Sequence, residues 1–178
     1  MRVAPKIWGY RLVYMLLGLL AIAYPLLPLQ FTPARLPAPD LLYVLTMAWI
    51  VRQPESAPFI LVAALALLSD AVLMRPLGLW AMLFLISSET LRLSHHAIQE
   101  RGLLAEFSVD AGLLVLMVVL QNIILWISFS QTLDLASSAQ FVMLTLASTP
   151  VMVLFLHYII RVRKPDTSSR PDRLGKIK

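Results

Sequence analysis

Residues 57–92 read APFILVAALALLSDAVLMRPLGLWAMLFLISSETLR, and this stretch decides the fold class. Two apolar runs, 57–74 and 76–91, stand back to back with Arg75 alone between them. A helix needs about 20 mostly apolar residues to cross a bilayer, and each run approaches that length. A separation of one residue leaves room for a tight reversal and for no soluble loop. Working outward, comparable runs lie at 12–29, 36–51, 111–129 and 139–160. The run at 36–51 is the weakest, because its strongly apolar part is only Leu41 to Val51. Apolar residues make up 59% of the 178 residues and mean hydropathy is +0.78. Charged residues make up 14%, where soluble domains carry about 25%. A soluble fold of this size cannot hide so much apolar surface. The sequence therefore predicts an all-α membrane protein: a six-helix transmembrane bundle over 1–163 and a basic, disordered tail over 164–178.

The basic residues test that topology. Loops on the cytoplasmic side of a membrane carry an excess of Lys and Arg. With six crossings and a cytoplasmic N-terminus, thirteen of the fifteen Lys and Arg fall inside, among them Arg11, Arg52, Arg92 and Arg101. Only Arg35 and Arg75 fall outside. Removing one crossing would put the basic tail on the wrong side. Both termini are thus expected in the cytoplasm. A cleaved signal peptide is the competing reading of the first run. That run is longer than the usual apolar core of about 7–15 residues, and only the proline-flanked Thr32-Pro33-Ala34 follows it as a cleavage site.

Several function classes lose support. The net charge of +5 is what helices flanked by anionic headgroups carry, and no basic stripe with interleaved aromatics points to nucleic acid. The chain has no cysteine, so disulfides, thiolate catalysis and Cys-based metal sites fall together. His95 and His96 are adjacent and would point about 100° apart on a helix, unsuited to one metal. No nucleophile elbow, His-Glu-x-x-His pair or phosphate-binding glycine loop occurs. No enzymatic activity and no cofactor is expected. Trp8, Trp49, Trp80 and Trp126 are expected at headgroup depth, as interfacial anchors.

Ionisable residues inside apolar runs are costly, so they normally pair or face the bundle interior. Asp70 is expected near the outer end of the third run, paired with Arg75 or Arg35. Glu89 and Arg92, three residues apart on one helix face, are expected near the inner end of the fourth, with Arg52 close by. Asp40, after Pro39 and before an apolar run, reads as a helix N-cap. Ser87-Ser88-Glu89 reads as a polar turn at a helix end. Residues 92–110 read as a short helix lying on the membrane or an extension of the fourth run. Pro150 should kink the sixth run, with Ser148 and Thr149 bonding freed carbonyls. Gln121 and Asn122 read as amides that join helices.

One stretch carries a family resemblance. Pro39-Asp40 opens the second run and Trp49 lies near its end, followed by Arg52 and Pro54. The third run closes on Leu67-Leu68-Ser69-Asp70, and Arg75-Pro76-Leu77-Gly78-Leu79-Trp80 opens the fourth, which ends with Glu89 and Arg92. In order and spacing this resembles MreD, the rod shape-determining membrane protein family, in the form found in alphaproteobacteria. Ser69 departs from the Gly or Ala usual before the Asp. The likeness covers about 55 residues, and the last two runs rest on hydropathy alone.

The resemblance implies a non-enzymatic scaffold of the bacterial inner membrane. Its expected partners are single-pass MreC and, directly or indirectly, MreB, RodA and a class B penicillin-binding protein of the elongation machinery. The implied role is to direct lateral-wall peptidoglycan synthesis and so maintain rod shape. The implied site residues are structural or interactive: Asp40, Trp49, Arg52, Asp70, Arg75, Gly78, Glu89 and Arg92. The family fold is similar to that of the substrate-binding subunits of energy-coupling-factor vitamin transporters, which gives the alternative function. Ala21 and Ala23 form no convincing small-residue pattern for a transporter's coupling partner.

Overall fold

The computed structural model of the chain describes residues 5–27, 37–128 and 134–158. Arg35, the proposed cleavage site and the basic tail lie outside the described residues. Among those described, the regular structure is helical and contains no strand: α1 Pro5–Ala23, α2 Leu41–Arg52, α3 Phe59–Val72, α4 Leu79–Arg101, α5 Leu103–Ile127 and α6 Leu135–Tyr158. Three segments are long and apolar enough to cross a membrane: Ile7–Leu26, Leu104–Ile127 and Leu135–Tyr158. Their outward faces carry large exposed apolar side chains, such as Leu16 and Leu20 on α1, Leu116 and Ile123 on α5, and Val151 and Leu154 on α6.

The weakest run of the sequence forms the centre of the bundle. α2 packs against α1, α4 and α6, and every residue from Leu42 to Arg52 is buried. A helix that is apolar on all sides belongs in the interior. α2 has 12 residues, α3 has 14, and at 1.5 Å per residue they span about 18 and 21 Å, less than the hydrocarbon thickness. α2 is a core element wrapped by the other helices, whereas α3 buries one face, with Val62, Leu65 and Ala66, and leaves Phe59, Ile60, Leu67 and Leu68 exposed on the other.

Two tryptophans depart from the interfacial expectation for the same reason. Trp49 is 0% and Trp80 2% exposed, whereas Trp8 is 63% and Trp126 73% exposed. Trp49 Nε1 donates to Ser56 Oγ at 2.8 Å, and its ring lies 5.4 Å from that of Tyr14. Tyr14 in turn shares a 2.8 Å hydrogen bond with Thr46 Oγ1. These rings fasten α1 and the α2–α3 link to the core instead of marking an interface.

Close approach sets the packing of α1. A β-carbon built on Gly18 would lie 2.7 Å from Leu65 Cδ1 and 3.5 Å from Leu42 Cδ1, so glycine lets α1 seat against α2 and α3.

Of the two readings of the connection after the fourth run, the extension of that run holds as far as Arg101, and the rest belongs to the next helix. α4 continues to Arg101, Gly102 breaks it at φ 85°, and α5 begins at Leu103, eight residues before the expected start. Ser87-Ser88-Glu89 therefore lies within α4 and forms no turn; Ser88 Oγ donates to the Leu85 carbonyl at 2.9 Å. Pro150 does lie inside α6. Ser148 and Thr149 bond the Thr145 carbonyl, at 2.6 and 3.5 Å, and not the Leu146 carbonyl that a proline at 150 frees. Asn122 joins helices as expected, donating to Val118 O on α5 at 2.9 Å and to Ser138 Oγ on α6 at 3.4 Å.

Candidate functional site

The two ends of α2 carry separate polar clusters. At its N-terminus Asp40 is the cap: Oδ1 accepts the Tyr43 backbone N–H at 3.0 Å. This serves one of the orphan donors of the first helical turn. Oδ2 accepts from Arg75 Nη1 at 3.2 Å and from Trp80 Nε1 at 3.0 Å. The Asp40 backbone N–H donates to Thr145 Oγ1 at 3.2 Å. One carboxylate thus ties α2 to the α3–α4 turn and α4, while its backbone reaches α6. The Arg75 guanidinium lies 5.2 Å from the Trp80 ring centroid and 6.0 Å from that of Phe141, a cation–π arrangement that fixes its plane.

Asp70 has a different task from the one expected. Its Oδ2 accepts the backbone N–H groups of Gly78 at 2.9 Å and Ala81 at 3.1 Å. Gly78 is the N-cap of α4 and has no side chain to offer, so a carboxylate from α3 caps α4 in its place. The Asp70 carbonyl also accepts the Arg75 N–H at 3.1 Å. Met74 and Gly78 take positive φ, 52° and 86°, so the reversal occupies several residues and not Arg75 alone. Arg75 pairs with Asp40, and the expected Asp70–Arg75 ion pair is replaced by this cap.

At the other end of α2, Arg52 Nη1 meets Glu106 Oε1 of α5 at 2.8 Å and the Ala48 carbonyl at 2.6 Å. The expected contact with Glu89 is not made. Glu89 pairs with Arg92 at 3.1 Å, three residues along, as its spacing implied. Arg92 also clamps the α2–α3 link, donating to Pro54 O at 2.9 Å and Ala57 O at 2.6 Å. Arg11 reaches the same link at Glu55 O, 3.4 Å away.

Glu106 and Asp110, both buried on α5, escaped the sequence reading. The available signal was a pair of carboxylates four residues apart, just ahead of the fifth apolar run. A fifth run starting at 111 leaves both in the 92–110 connection, outside the bundle.

Beside the Asp40 cluster lies a cavity of about 470 Å³, bordered by α1, the stretch before α2, α5 and α6. Arg75, Asp40, Ser69, Gln121 and Ser137 supply polar groups to a mostly apolar wall that includes Trp80 and Phe141. A cavity of that volume falls in the range that small ligands occupy. No group of three or more His, Cys, Asp or Glu able to hold a metal occurs among the described residues. Comparison of the chain with protein families, curated proteins and solved structures returned no match, so the functional reading rests on these residues.

Proposed function

We propose that this chain is a non-enzymatic scaffold of the bacterial inner membrane, acting as the MreD resemblance implies. It docks the single transmembrane helix of MreC and, with MreB, RodA and a class B penicillin-binding protein, helps direct lateral-wall synthesis. The residues quoted for the resemblance support this reading by what they do. Asp40, Arg75 and Trp80 form one cluster, Asp70 and Gly78 form the adjoining helix cap, and Arg52, Glu89 and Arg92 brace the other end. Asp40, Asp70, Arg52, Arg75 and Arg92 each tie one helix or link to another, and Glu89 pairs with Arg92 along α4.

The docking surface in this reading is the groove between α5 and α6, about 670 Å³ and lined by Val115, Val119, Ile123, Trp126 and Met143. Helices in lipid associate through van der Waals packing, which such a groove favours. The proposed topology keeps six crossings with both termini cytoplasmic, α2 crossing as a short central segment shielded by its neighbours and α3 as a short segment with one face outward. Irregular backbone at membrane depth is tolerated where protein covers it.

Co-purification from detergent with the MreC of the same bacterium tests the proposal. Wild-type protein should retain MreC, and Val119→Trp, which fills the groove, should lose it while keeping its own melting temperature. Equal retention by both rejects the groove. Failure of the wild type to bind MreC rejects the scaffold.

The cavity beside Arg75 favours one alternative, a substrate-binding subunit similar to those of vitamin transporters. A tightly held vitamin and an ATPase partner in the same purification would establish it.

A further inference from the structure

A second, much smaller cavity lies deep in the bundle, between α2, α4, α5 and α6. Its volume is about 10 Å³, and its walls are apolar side chains of α2 and α4 together with Glu106, Asp110 and Thr149. Glu106 and Asp110 are four residues apart and so share one face of α5. They are 7% and 3% exposed. Glu106 has a counter-charge in Arg52, 2.8 Å away. Asp110 has none within ion-pair distance among the described residues. Its Oδ2 accepts from Thr149 Oγ1 at 3.3 Å, while its Oδ1, also buried, has no hydrogen-bond partner. The charged and titratable groups facing it are Arg52 and Tyr43 from α2 and Glu106 from α5. α4 and α6 present Leu91 and Thr149. The Tyr43 hydroxyl donates to the Asp110 carbonyl at 2.9 Å.

Asp110 has no counter-charge among the described residues, so ionised it would place an unpaired negative charge in an apolar interior. Burying an unpaired ionised carboxylate is costly enough that such groups neutralise instead. A cavity needs about 10–15 Å³ to hold one water, so this one admits a single water and no hydrated metal ion.

We propose that Asp110 is a proton-binding site within the bundle: it carries one proton on Oδ1, which donates to a single water between it and Glu106. The proton comes from solvent and adds to the carboxylate, making an acid, while Oδ2 keeps its bond from Thr149. Arg52, Glu106 and Asp110 are then neutral as a set. Because the three residues and Thr149 belong to α2, α5 and α6, loss of the proton would load one negative charge onto the junction of these helices. The site is independent of which partner the bundle docks.

Infrared spectroscopy of the full chain in lipid nanodiscs at neutral pH, in water and in heavy water, tests this. The expected result is a protonated carboxylic acid band that moves in heavy water and carries the isotope shift of carboxyl-labelled aspartate. Asp110→Asn should remove it and Glu106→Gln should retain it. Thr149→Val, which takes away only the hydroxyl on Oδ2, should shift the band, which keeps the test open if Asp110→Asn does not fold. A band that Asp110→Asn and Thr149→Val leave unmoved overturns the proposal, as does a spectrum with no such band. Sodium chloride raising the melting temperature of wild type but not of Asp110→Asn, against choline chloride at equal strength, assigns the site to a metal cation and also overturns it.

Discussion

Arg75 reaches back 35 positions to Asp40, its Nη1 lying 3.2 Å from Oδ2. The carboxylate that caps α2 is therefore also tied to the α3–α4 turn, so helix start and turn share one group. Asp40→Ala would strand three donors at once: the Arg75 guanidinium, the Trp80 indole and the Tyr43 N–H. Removing one partner of a buried pair costs about 3–5 kcal/mol. Arg75 keeps some exposure, its side chain being 24% accessible, which puts the expected loss near the lower end, about 3 kcal/mol. Thermal unfolding in detergent should show Asp40→Ala well below wild type and Asp40→Asn, which still accepts hydrogen bonds, between the two. Equal melting temperatures for Asp40→Ala and wild type would remove the cluster from the stability account.

Asp70 tests whether charge or capping matters in the adjoining cluster. It accepts two backbone N–H groups at the start of α4 and makes no ion pair with Arg75. Losing a cap costs about 0.5–2 kcal/mol. Asp70→Ala should lie in that range, and Asp70→Asn should cost less. The reversed pair Asp70→Arg with Arg75→Asp should not recover what either change loses, because Asp70→Arg removes the cap and Arg75→Asp places a second carboxylate against Asp40. Rescue by the double change, in a melting series of the four proteins, would restore the direct pairing that the sequence suggested.

The topology has a clean test, because the chain contains no cysteine. Glu55, in the α2–α3 link, and Leu77, in the α3–α4 turn, are both exposed and lie at opposite ends of α3. With six crossings and cytoplasmic termini, Leu77→Cys should react with an impermeant maleimide in intact cells. Glu55→Cys should react only after the membrane is opened. The reverse pattern would invert the bundle.

What the sequence disclosed and what it concealed divide along the range of the interaction. The Asp40 cap, the Glu89–Arg92 pair and the amide bridge at Asn122 depend on neighbours a few residues away or on one adjacent helix, and each was legible. The partners of Arg75, Asp70 and Arg52 lie 35, 8–11 and 54 residues away and depend on how helices pack, which no spacing rule gives. The interfacial rule assumes rings that meet lipid, whereas Trp49 lies on the fully buried α2 and Trp80 on the inward face of α4, where its indole N–H meets Asp40. Glu106 and Asp110 were missed because hydropathy finds where an apolar run begins and not where a helix does. α5 starts eight residues earlier, and the face of its first two turns that carries Glu106 and Asp110 is buried in spite of their charge.

Gly18 offers the sharpest test of the packing that surrounds α2. Its missing side chain lets α1 lie against Leu65 and Leu42, and both leucines are buried, at 3% each. Gly18→Ala places a methyl 2.7 Å from the end of the Leu65 side chain, which can rotate only at the expense of the core around it. Inserting carbon into a well-packed core typically costs about 1–3 kcal/mol. Against this, alanine favours a helix interior over glycine by about 1 kcal/mol. The net for Gly18→Ala should be a loss of about 0–2 kcal/mol, and Gly18→Val, larger and branched, should lose more, about 2–3 kcal/mol. The loss should shrink when Leu65→Ala is made in the same protein, since the smaller residue frees the space that the valine needs. A melting-temperature cycle over the four proteins would read that coupling, and strictly additive effects would mean that α1 and α3 do not meet at Gly18.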